Sequence, residues 1–164
     1  MLQRHGWTLF AHSLFLAQLD RLTASAEWAR RADPQGRCCA ANVRLLAMVR
    51  GLVLDRVPRD PLGPQFRQGN TLGPAHRRWF RAKFAANRFR LFFRANSVSR
   101  IVVYAWVNDR DTLRKAGAAS DPYAVFAGML SLGDPPGDWA TLLATVRTPT
   151  AAERLAAISA DSER

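Results

Sequence analysis

The chain has 164 residues, 48% of them hydrophobic, which is enough to bury the core of a single domain. Its 24 basic residues outnumber its 13 acidic ones, and the resulting net charge of +11 indicates a polyanionic partner. No run reaches the ~18 apolar residues of a membrane span, and the N-terminus lacks the apolar region of a signal peptide, so we expect a cytoplasmic protein.

Two antiparallel helices are predicted first, over residues 11–31 and 37–56. Apolar residues recur in both at steps of three and four, which is the spacing of one helix face. The stripe of the first helix consists of Phe15, Leu19, Leu22 and Ala26, and that of the second of Cys39, Val43, Leu46, Val49 and Val53. Between them, the segment 33–36 contains a proline and a glycine, which end a helix.

The two cysteines, Cys38 and Cys39, are adjacent in the second predicted helix. Neighbouring helical side chains point about 100° apart, so the pair is poorly placed for a zinc site or a disulfide. We expect buried, reduced thiols, and neither a metal ion nor another cofactor.

A β-hairpin is predicted over residues 80–94, after an irregular segment rich in proline and glycine at 57–78. Because strand side chains alternate between faces, each strand has an apolar face and a cationic face. The apolar positions are Phe80, Ala82, Phe84, Phe89, Leu91 and Phe93, and the opposite positions are Arg81, Lys83, Arg88, Arg90, Phe92 and Arg94. The three-residue connection 85–87 ends in an asparagine, which tolerates positive φ. Such a sheet face is suited to bind phosphate.

A third strand at 101–107 is apolar on both faces, as expected of a central strand. The Asp-Pro pair at 121–122 is typical of a helix start, and Gly133 of its end. Residues 134–139 form a predicted turn, and 150–153 resembles a capping box for a short final helix. This order predicts an α+β fold in which helices cover one side of a small antiparallel sheet.

The positive charge is concentrated between residues 77 and 115. This segment holds eleven basic residues and two acidic ones, Asp109 and Asp111, which gives it a net charge of +9. A high-GC coding bias explains why most of the basic residues are arginine, but it does not explain their clustering. The clustering favours a nucleic-acid-binding surface. The two aspartates are expected to cap the turn after the third strand or to pair with nearby arginines.

Several ordered motifs extend this interpretation. They are FRQGNTLG at 66–73, RAKFAANRFRLFFR at 81–94, WVNDRDTLRKAG at 106–117, DPYAVFAGML at 121–130 and the PPGDW turn at 135–139. Together they make the chain resemble the YhaV family of bacterial toxins, a branch of the RelE-like ribonuclease superfamily. The resemblance implies one RelE-like ribonuclease domain at 1–147, followed by a short C-terminal helix or tail at 148–164.

The resemblance also implies a function, the toxin of a type II toxin–antitoxin system. Such a toxin is an endoribonuclease that cleaves mRNA, free or on the ribosome, without a metal ion. A PrlF-like antitoxin of the AbrB type would neutralise it and would alone contact operator DNA, and no membrane is involved. Two other functions remain open: a non-catalytic RNA- or ribosome-binding protein, and a module whose basic groove receives an acidic protein segment.

Site residues follow from their positions in these motifs. The catalytic candidates are Arg81, Lys83, Arg88, Arg90 and Arg114, and the RNA-binding candidates are Arg78, Phe92, Arg94, Asn108 and Arg110. Lys83 is the candidate general base or charge stabiliser, because the arginines around it repel the proton of its ammonium group. The tyrosine that some RelE relatives place after the last strand has no clear counterpart in this sequence.

Overall fold

The computed structural model describes residues 1–33, 35 and 40–162, so both cysteines and part of the predicted break before them lie outside the described residues. The strands are β1 (Leu2–Arg4), β2 (Trp7–Ala11), β3 (Phe80–Phe84), β4 (Phe89–Asn96) and β5 (Ile101–Val107). The helices are α1 (Ser13–Ala32), α2 (Ala40–Gly51), α3 (Val57–Arg59), α4 (Pro122–Ser131), α5 (Trp139–Val146) and α6 (Pro149–Ser162). A π-helix, Leu52–Arg56, joins α2 to α3, and 3₁₀ turns occupy Pro64–Phe66 and Pro74–His76.

The five strands form one mixed sheet in the order β1-β2-β5-β4-β3. β2 and β5 are parallel, and the other neighbours are antiparallel. The predicted strands β3, β4 and β5 are confirmed, but an N-terminal hairpin of β1 and β2 makes the sheet larger and mixed. His5 and Gly6 turn this hairpin with φ of 50° and 80°. Strands this short carry little periodic signal, which is why the pattern of residues does not reveal them.

Helices cover both faces of the sheet, which corrects the prediction of a one-sided layer. One face packs against α1, α2 and α6. The other packs against α4 and α5, and at its centre Phe92 stacks on Phe126 with a centroid distance of 4.4 Å. The predicted cationic face is therefore filled by a second core in its middle. No helix of the described residues is long and apolar enough to cross a membrane.

The π-helix that follows α2 runs directly into α3, whose second residue is Pro58. Pro58 has no N–H to donate to the carbonyl groups one turn earlier, so the helical hydrogen-bond ladder is interrupted there. The hydroxyl of buried Tyr104 donates instead to the carbonyl oxygen of Val53 at 2.7 Å. Burial raises the pKa of Tyr104, so the hydroxyl keeps its proton and continues to link β5 to this helical layer.

The start of α4 is confirmed as predicted. Asp121 is the cap, because its carboxylate accepts a hydrogen bond from the Tyr123 N–H at 3.1 Å, and Pro122 is the first helical residue. The chain leaves the helix through Gly133, whose φ of 76° lies in the left-handed region that glycine adopts easily.

The remainder of the C-terminal region has more helix than predicted. The predicted turn at 134–139 leads directly into α5, whose cap is Asp138. The final helix begins at Pro149, one residue before the predicted cap. Thr148 rather than Thr150 therefore caps α6, and its hydroxyl accepts a backbone N–H at 3.2 Å.

His12 caps the N-terminus of α1 from a buried position. Its Nδ1 accepts a hydrogen bond from the Leu14 N–H at 3.1 Å, and its Nε2 lies 3.3 Å from the carboxylate of Asp134. The residue is 1% exposed, and burial lowers the pKa of His12, an effect that the Asp134 charge partly opposes. The imidazole is therefore neutral in the folded protein at a pH where the unfolded chain has already bound a proton there.

The free energy of unfolding should consequently fall as the pH drops below 6.5, the ordinary pKa of histidine. Below that pH the unfolded chain binds a proton that folded His12 excludes, so protonation favours unfolding. Urea denaturation between about pH 7.5 and 5.5 measures the effect in wild type and in His12→Asn, since asparagine keeps the cap but does not titrate. Equal pH slopes for the two proteins would contradict the assignment.

Candidate active site

The register of the β3–β4 hairpin places the predicted cations together. Arg81 pairs with Phe92 and Lys83 with Arg90, so the three cations share one face of the sheet, as predicted. The connection contains four residues rather than three, because β4 begins one residue later than predicted and leaves Arg88 in the turn.

The turn holds three consecutive residues in the left-handed region, since Ala85, Ala86 and Asn87 have φ of 53°, 55° and 68°. This conformation costs roughly 1 kcal/mol for an L-residue such as alanine. Arg90 is 2% exposed, and its Nη1 donates to the carbonyl oxygens of Asn87 at 2.8 Å and Phe89 at 3.0 Å. The strained turn thus supplies an acceptor that holds a buried guanidinium group.

The hydroxyl of Tyr123 joins two of these cations. Its oxygen accepts hydrogen bonds from the Nε atoms of Arg81 and Arg90, both at 3.0 Å. The guanidinium carbon of Arg114 lies 5.0 Å from the centroid of the Tyr123 ring, within the range of a cation–π interaction. We call Arg81, Arg90, Arg114 and Tyr123 the Tyr123 cluster. It joins residues from β3, β4, the segment after β5, and α4.

Asp121 orients the two members of the cluster that come from outside the hairpin. Its side chain is 5% exposed and forms an ion pair with Arg114, while its carboxylate also accepts the Tyr123 N–H. The Arg114 N–H donates to the carbonyl oxygen of Arg88 at 3.1 Å, which ties the segment after β5 to the hairpin turn. One buried carboxylate therefore positions both the tyrosine and the third arginine.

Asn108 supports the cluster through the backbone and is not available to RNA, which corrects its predicted role. It is 4% exposed, and its Oδ1 accepts the Arg90 N–H at 2.7 Å. Its Nδ2 donates to the carbonyl oxygen of Thr112, also at 2.7 Å. A bulge shifts the β4–β5 register close to this end of β5, where regular pairing gives way to these side-chain contacts.

An open groove of about 500 Å³ lies beside the cluster. Its lining includes Tyr123, Arg114 and Asp121 together with the loop 71–73. The last residue of this loop is a glycine with φ of 96° and ψ of 160°, a conformation that a side chain would forbid. Gln68, which is 5% exposed, holds the loop by accepting a hydroxyl at 2.7 Å and an N–H at 3.2 Å. The FRQGNTLG motif thus contributes its last three residues to the lining of the groove.

The remaining predicted site residues near the cluster differ in how exposed their side chains are. Lys83 and Arg88 are exposed, and neither side chain forms a hydrogen bond or ion pair with the described residues, so both are available to a ligand. Phe92 is 0% exposed because Phe126 of α4 stacks on it, which corrects its prediction as an RNA-binding residue. Arg110 donates to Asn42 of α2 at 3.0 Å and therefore lies outside the cluster.

Arg78 and Arg94 form a separate basic pair toward the C-terminal end of β4. Both are predicted RNA-binding residues, but Arg94 is only 6% exposed, whereas Arg78 is exposed. The hydrogen bond and ring contacts of Arg94 are made with residues outside the Tyr123 cluster.

Tyr123 is absent from the predicted site residues, although its position carries a signal. It is the second residue of a helix whose start at Asp121 is readable from the sequence. Its ring packs edge-on against Phe92 at a centroid distance of 5.7 Å while its hydroxyl reaches the arginines. The hydroxyl group of a buried tyrosine usually finds a hydrogen-bond partner, and that is the signal a tyrosine in an apolar helix carries.

Asp109, after β5, has a structural role, as predicted, whereas the exposed carboxylate of Asp111 forms no hydrogen bond or ion pair with the described residues. Asp109 accepts hydrogen bonds from the Thr112 hydroxyl at 2.8 Å and from the Gln18 amide at 3.0 Å. Burial by itself would raise the pKa of Asp109, but hydrogen bonds from Gln18, Thr112 and two backbone N–H groups outweigh it and lower the pKa. Among the described residues, no three His, Cys, Asp or Glu side chains come together in a way that could hold a metal ion.

Comparison with known proteins identifies the family. A family model described as "Toxin with endonuclease activity, of toxin-antitoxin system" matches residues 9–147, which include the whole Tyr123 cluster. Ribonuclease toxin YhaV of Escherichia coli strain K12 is 40% identical over 139 residues, which cover 84% of this chain and 90% of that protein. Toxin YhaV of Escherichia coli O157:H7 is also 40% identical over 139 residues, which again cover 84% of this chain and 90% of that protein. No solved structure gives a significant match. The chain therefore belongs to the YhaV toxin family.

Proposed function

We propose that this protein is an endoribonuclease toxin that cleaves mRNA at the Tyr123 cluster without a metal ion. The convergence of three guanidinium groups on one tyrosine beside an open groove is the observation that supports this most strongly. Within the cluster, Arg81 and Arg90 form no ion pair with a carboxylate of the described residues, so no such partner neutralises their charge. The name and family description of the similar proteins point to the same activity.

Metal-independent cleavage of RNA needs a proton acceptor, a stabilised phosphorane and a proton donor. The 2′ hydroxyl loses its proton and attacks the neighbouring phosphorus. Cations stabilise the negative charge of the phosphorane, and the 5′ oxygen leaves with a proton. The products are a 2′,3′-cyclic phosphate and a 5′ hydroxyl. Planar guanidinium groups suit the charge-stabilising step because each can donate two parallel hydrogen bonds to phosphate oxygens.

Arg81 and Arg114 are assigned to contact the phosphate. Arg81 donates to Tyr123 through Nε and to the carbonyl oxygen of Gln65 through Nη1, which leaves Nη2 without a partner in the described protein. The side chain of Arg114 is 32% exposed and lines the groove. Arg90 is buried, with Nε donating to Tyr123 and Nη1 to two carbonyl oxygens, so it is assigned as a positioning residue that holds the phenol.

Tyr123 is assigned as the proton donor to the leaving 5′ oxygen. Because Arg81 and Arg90 both donate to its oxygen, the phenol keeps its own proton for a third partner. The side-chain nitrogen of Lys83 is assigned as the acceptor of the 2′ proton, since Lys83 is exposed and lies opposite Arg90 on the same face. The bond from phosphorus to the 5′ oxygen then breaks as that oxygen takes the proton of Tyr123.

The antitoxin is assigned to the same surface. The family description places its members in toxin–antitoxin systems, and the chain has a net charge of +11. An acidic antitoxin segment laid over the groove would exclude RNA by occupying its phosphate-binding groups. We assign this partner to the PrlF-like, AbrB-type class, which would also supply the contact with operator DNA, and the substrate to mRNA, free or on the ribosome.

Cleavage in the presence of excess EDTA tests the proposal. The purified protein should cut a labelled RNA at a rate that EDTA does not change, and mass spectrometry should find 2′,3′-cyclic phosphate ends. An RNA with a 2′-O-methyl group at the cleaved nucleotide should stay intact, because its 2′ oxygen has no proton to lose. Activity that EDTA abolishes and magnesium restores would contradict the mechanism. Tight binding without cleavage would indicate the non-catalytic RNA-binding protein instead.

A further inference from the structure

Arg94, near the C-terminal end of β4, is buried between two tryptophan rings. Its guanidinium carbon lies 5.4 Å from the centroid of the Trp79 ring and 5.5 Å from that of the Trp139 ring. Its Nη1 donates to the carbonyl oxygen of Gly137 at 2.7 Å, and no carboxylate of the described residues forms an ion pair with it. The position of this cation is therefore fixed while its charge is not neutralised by a direct partner.

Arg78 is a second cation close to Arg94, and both line the same depression. Burial lowers the pKa of Arg94, and the charge of Arg78 lowers it further, while Asp138 opposes this. Arg78 is exposed, and its side chain forms no hydrogen bond or ion pair with the described residues. Two cations that repel each other at the protein surface create a local positive potential that an anion would relieve.

The surface around this pair is concave and partly aromatic. A depression of about 320 Å³ is lined by Arg78, Phe80, Arg94, Ala95, Asn96 and Trp139. A second one, also of about 320 Å³, adjoins it on the side of the 74–76 turn. Phe80 and Trp139 are each partly exposed, so ring surface is accessible next to the cations. Cations next to exposed aromatic rings are the combination that single-stranded nucleic acid binds, through its phosphates and its bases.

We propose that this depression is a second nucleotide subsite, in which Arg78 contacts a phosphate and Trp139 a base of the bound RNA. The inference rests on the proposed ribonuclease function and adds a site outside the Tyr123 cluster. Arg94 and Arg90 are on the same sheet face and four residues apart, or ~13 Å at ~3.3 Å per strand residue. At ~3.4 Å per stacked nucleotide, the subsite takes a nucleotide about four positions from the cleaved linkage.

Substrate length provides the test. Cleavage is compared for a short RNA that ends next to the scissile linkage and a longer RNA with the same centre and flanks that extend past the subsite. Lengthening should raise kcat/KM for wild type, chiefly by lowering KM, and Arg78→Ala should lose about 10-fold of that gain. The slope of log Kd against log salt for the longer RNA should become shallower by about 1, as expected for one lost phosphate contact.

Two further variants separate binding from folding and from general charge effects. Arg56→Ala removes an exposed arginine from the helical layer on the opposite face and should keep the full gain of the longer RNA. Trp139→Phe keeps an aromatic ring against Arg94 while reducing the stacking surface, so it should lose part of the gain without a change in melting temperature.

Each result decides the proposal. The subsite is overturned if Arg78→Ala and Arg56→Ala show the same rise in kcat/KM on lengthening the RNA and the same slope of log Kd against log salt. The proposed ribonuclease function would be unaffected by that result. If wild type cleaves neither RNA, the proposed function fails, and fluorescence anisotropy of the intact longer RNA then tests the subsite alone. For the subsite to hold in that case, the Arg78→Ala protein must bind the longer RNA more weakly than the Arg56→Ala protein does. Unchanged RNA binding together with weakened antitoxin binding would also overturn the subsite and assign the depression to an acidic protein segment.

Discussion

Tyr123→Phe should reduce the rate of RNA cleavage by roughly 100-fold or more, the usual scale for loss of a proton-transfer group. The substitution removes only the hydroxyl group, to which Arg81 and Arg90 each donate at 3.0 Å. The ring should stay in place because it packs edge-on against Phe92 at 5.7 Å. Single-turnover cleavage of a labelled RNA measures the chemical step separately from product release.

Tyr104→Phe is the matched control, since the chain has two tyrosines and both use their hydroxyl groups. Tyr104 donates to the carbonyl oxygen of Val53 at 2.7 Å; it does not line the groove and belongs to the other core. Each substitution should lower the free energy of unfolding by about 1–2 kcal/mol, because a buried polar group loses its partner. Only Tyr123→Phe should also lose cleavage. Similar activities of the two variants would contradict the role of the Tyr123 hydroxyl.

Arg81→Ala should reduce kcat/KM by about 100-fold with a small change in stability, as expected for removal of a donor that stabilises transition-state charge. Arg81 holds the Tyr123 hydroxyl and keeps Nη2 for the phosphate. Arg81→Lys retains the charge but not the planar fork, so it should recover a minor part of the activity. Arg56→Ala, on the opposite helical layer, should cleave like wild type in the same assay. Full activity of Arg81→Lys would show that a positive charge alone is sufficient and would contradict the claim that the planar guanidinium group is needed.

Combining Arg81→Ala with Tyr123→Phe should cost little more activity than the more damaging single change. The two side chains are joined by a hydrogen bond of 3.0 Å, so each substitution already disrupts the arrangement on which the other depends. A double-mutant cycle on kcat/KM measures this coupling. A loss equal to the product of the two single losses would show that the residues act independently.

The hairpin was predictable because its pattern is local. Alternation along β3 and β4 concerns neighbouring residues only, and the observed register places Arg81, Lys83 and Arg90 on one face as the alternation predicts. The cap formed by Asp121 is equally local, and the start of α4 agrees with it. Neither feature depends on how the rest of the chain packs.

Burial of the cationic face could not be derived from the same alternation. Phe92 interrupts the row of arginines, and that interruption marks the second core, but its meaning depends on Phe126, which stacks on it from α4. Arg94 likewise follows the arginine pattern of β4, yet Trp79 and Trp139 enclose it. These contacts join residues far apart in the chain, and no short pattern reports them.

The assembly of the Tyr123 cluster likewise depends on contacts between residues that are far apart in the chain. The family resemblance indicates Arg114 by its position in a motif, but its contact with the hairpin depends on a backbone hydrogen bond to Arg88. Tyr123 fits the apolar pattern of α4, and its identity as a tyrosine indicates a hydrogen-bonded hydroxyl but not that the partners are Arg81 and Arg90. Long-range packing, rather than residue type, makes these side chains a site.

A crystal structure of the protein with an RNA that carries a 2′-O-methyl group at the cleaved nucleotide tests the central claim most directly. The scissile phosphate should lie within hydrogen-bond distance of Arg81 and Arg114, with its 5′ oxygen next to the Tyr123 hydroxyl and its 2′ oxygen toward Lys83. A scissile phosphate bound on another surface, with the groove beside Tyr123 empty, would contradict the account.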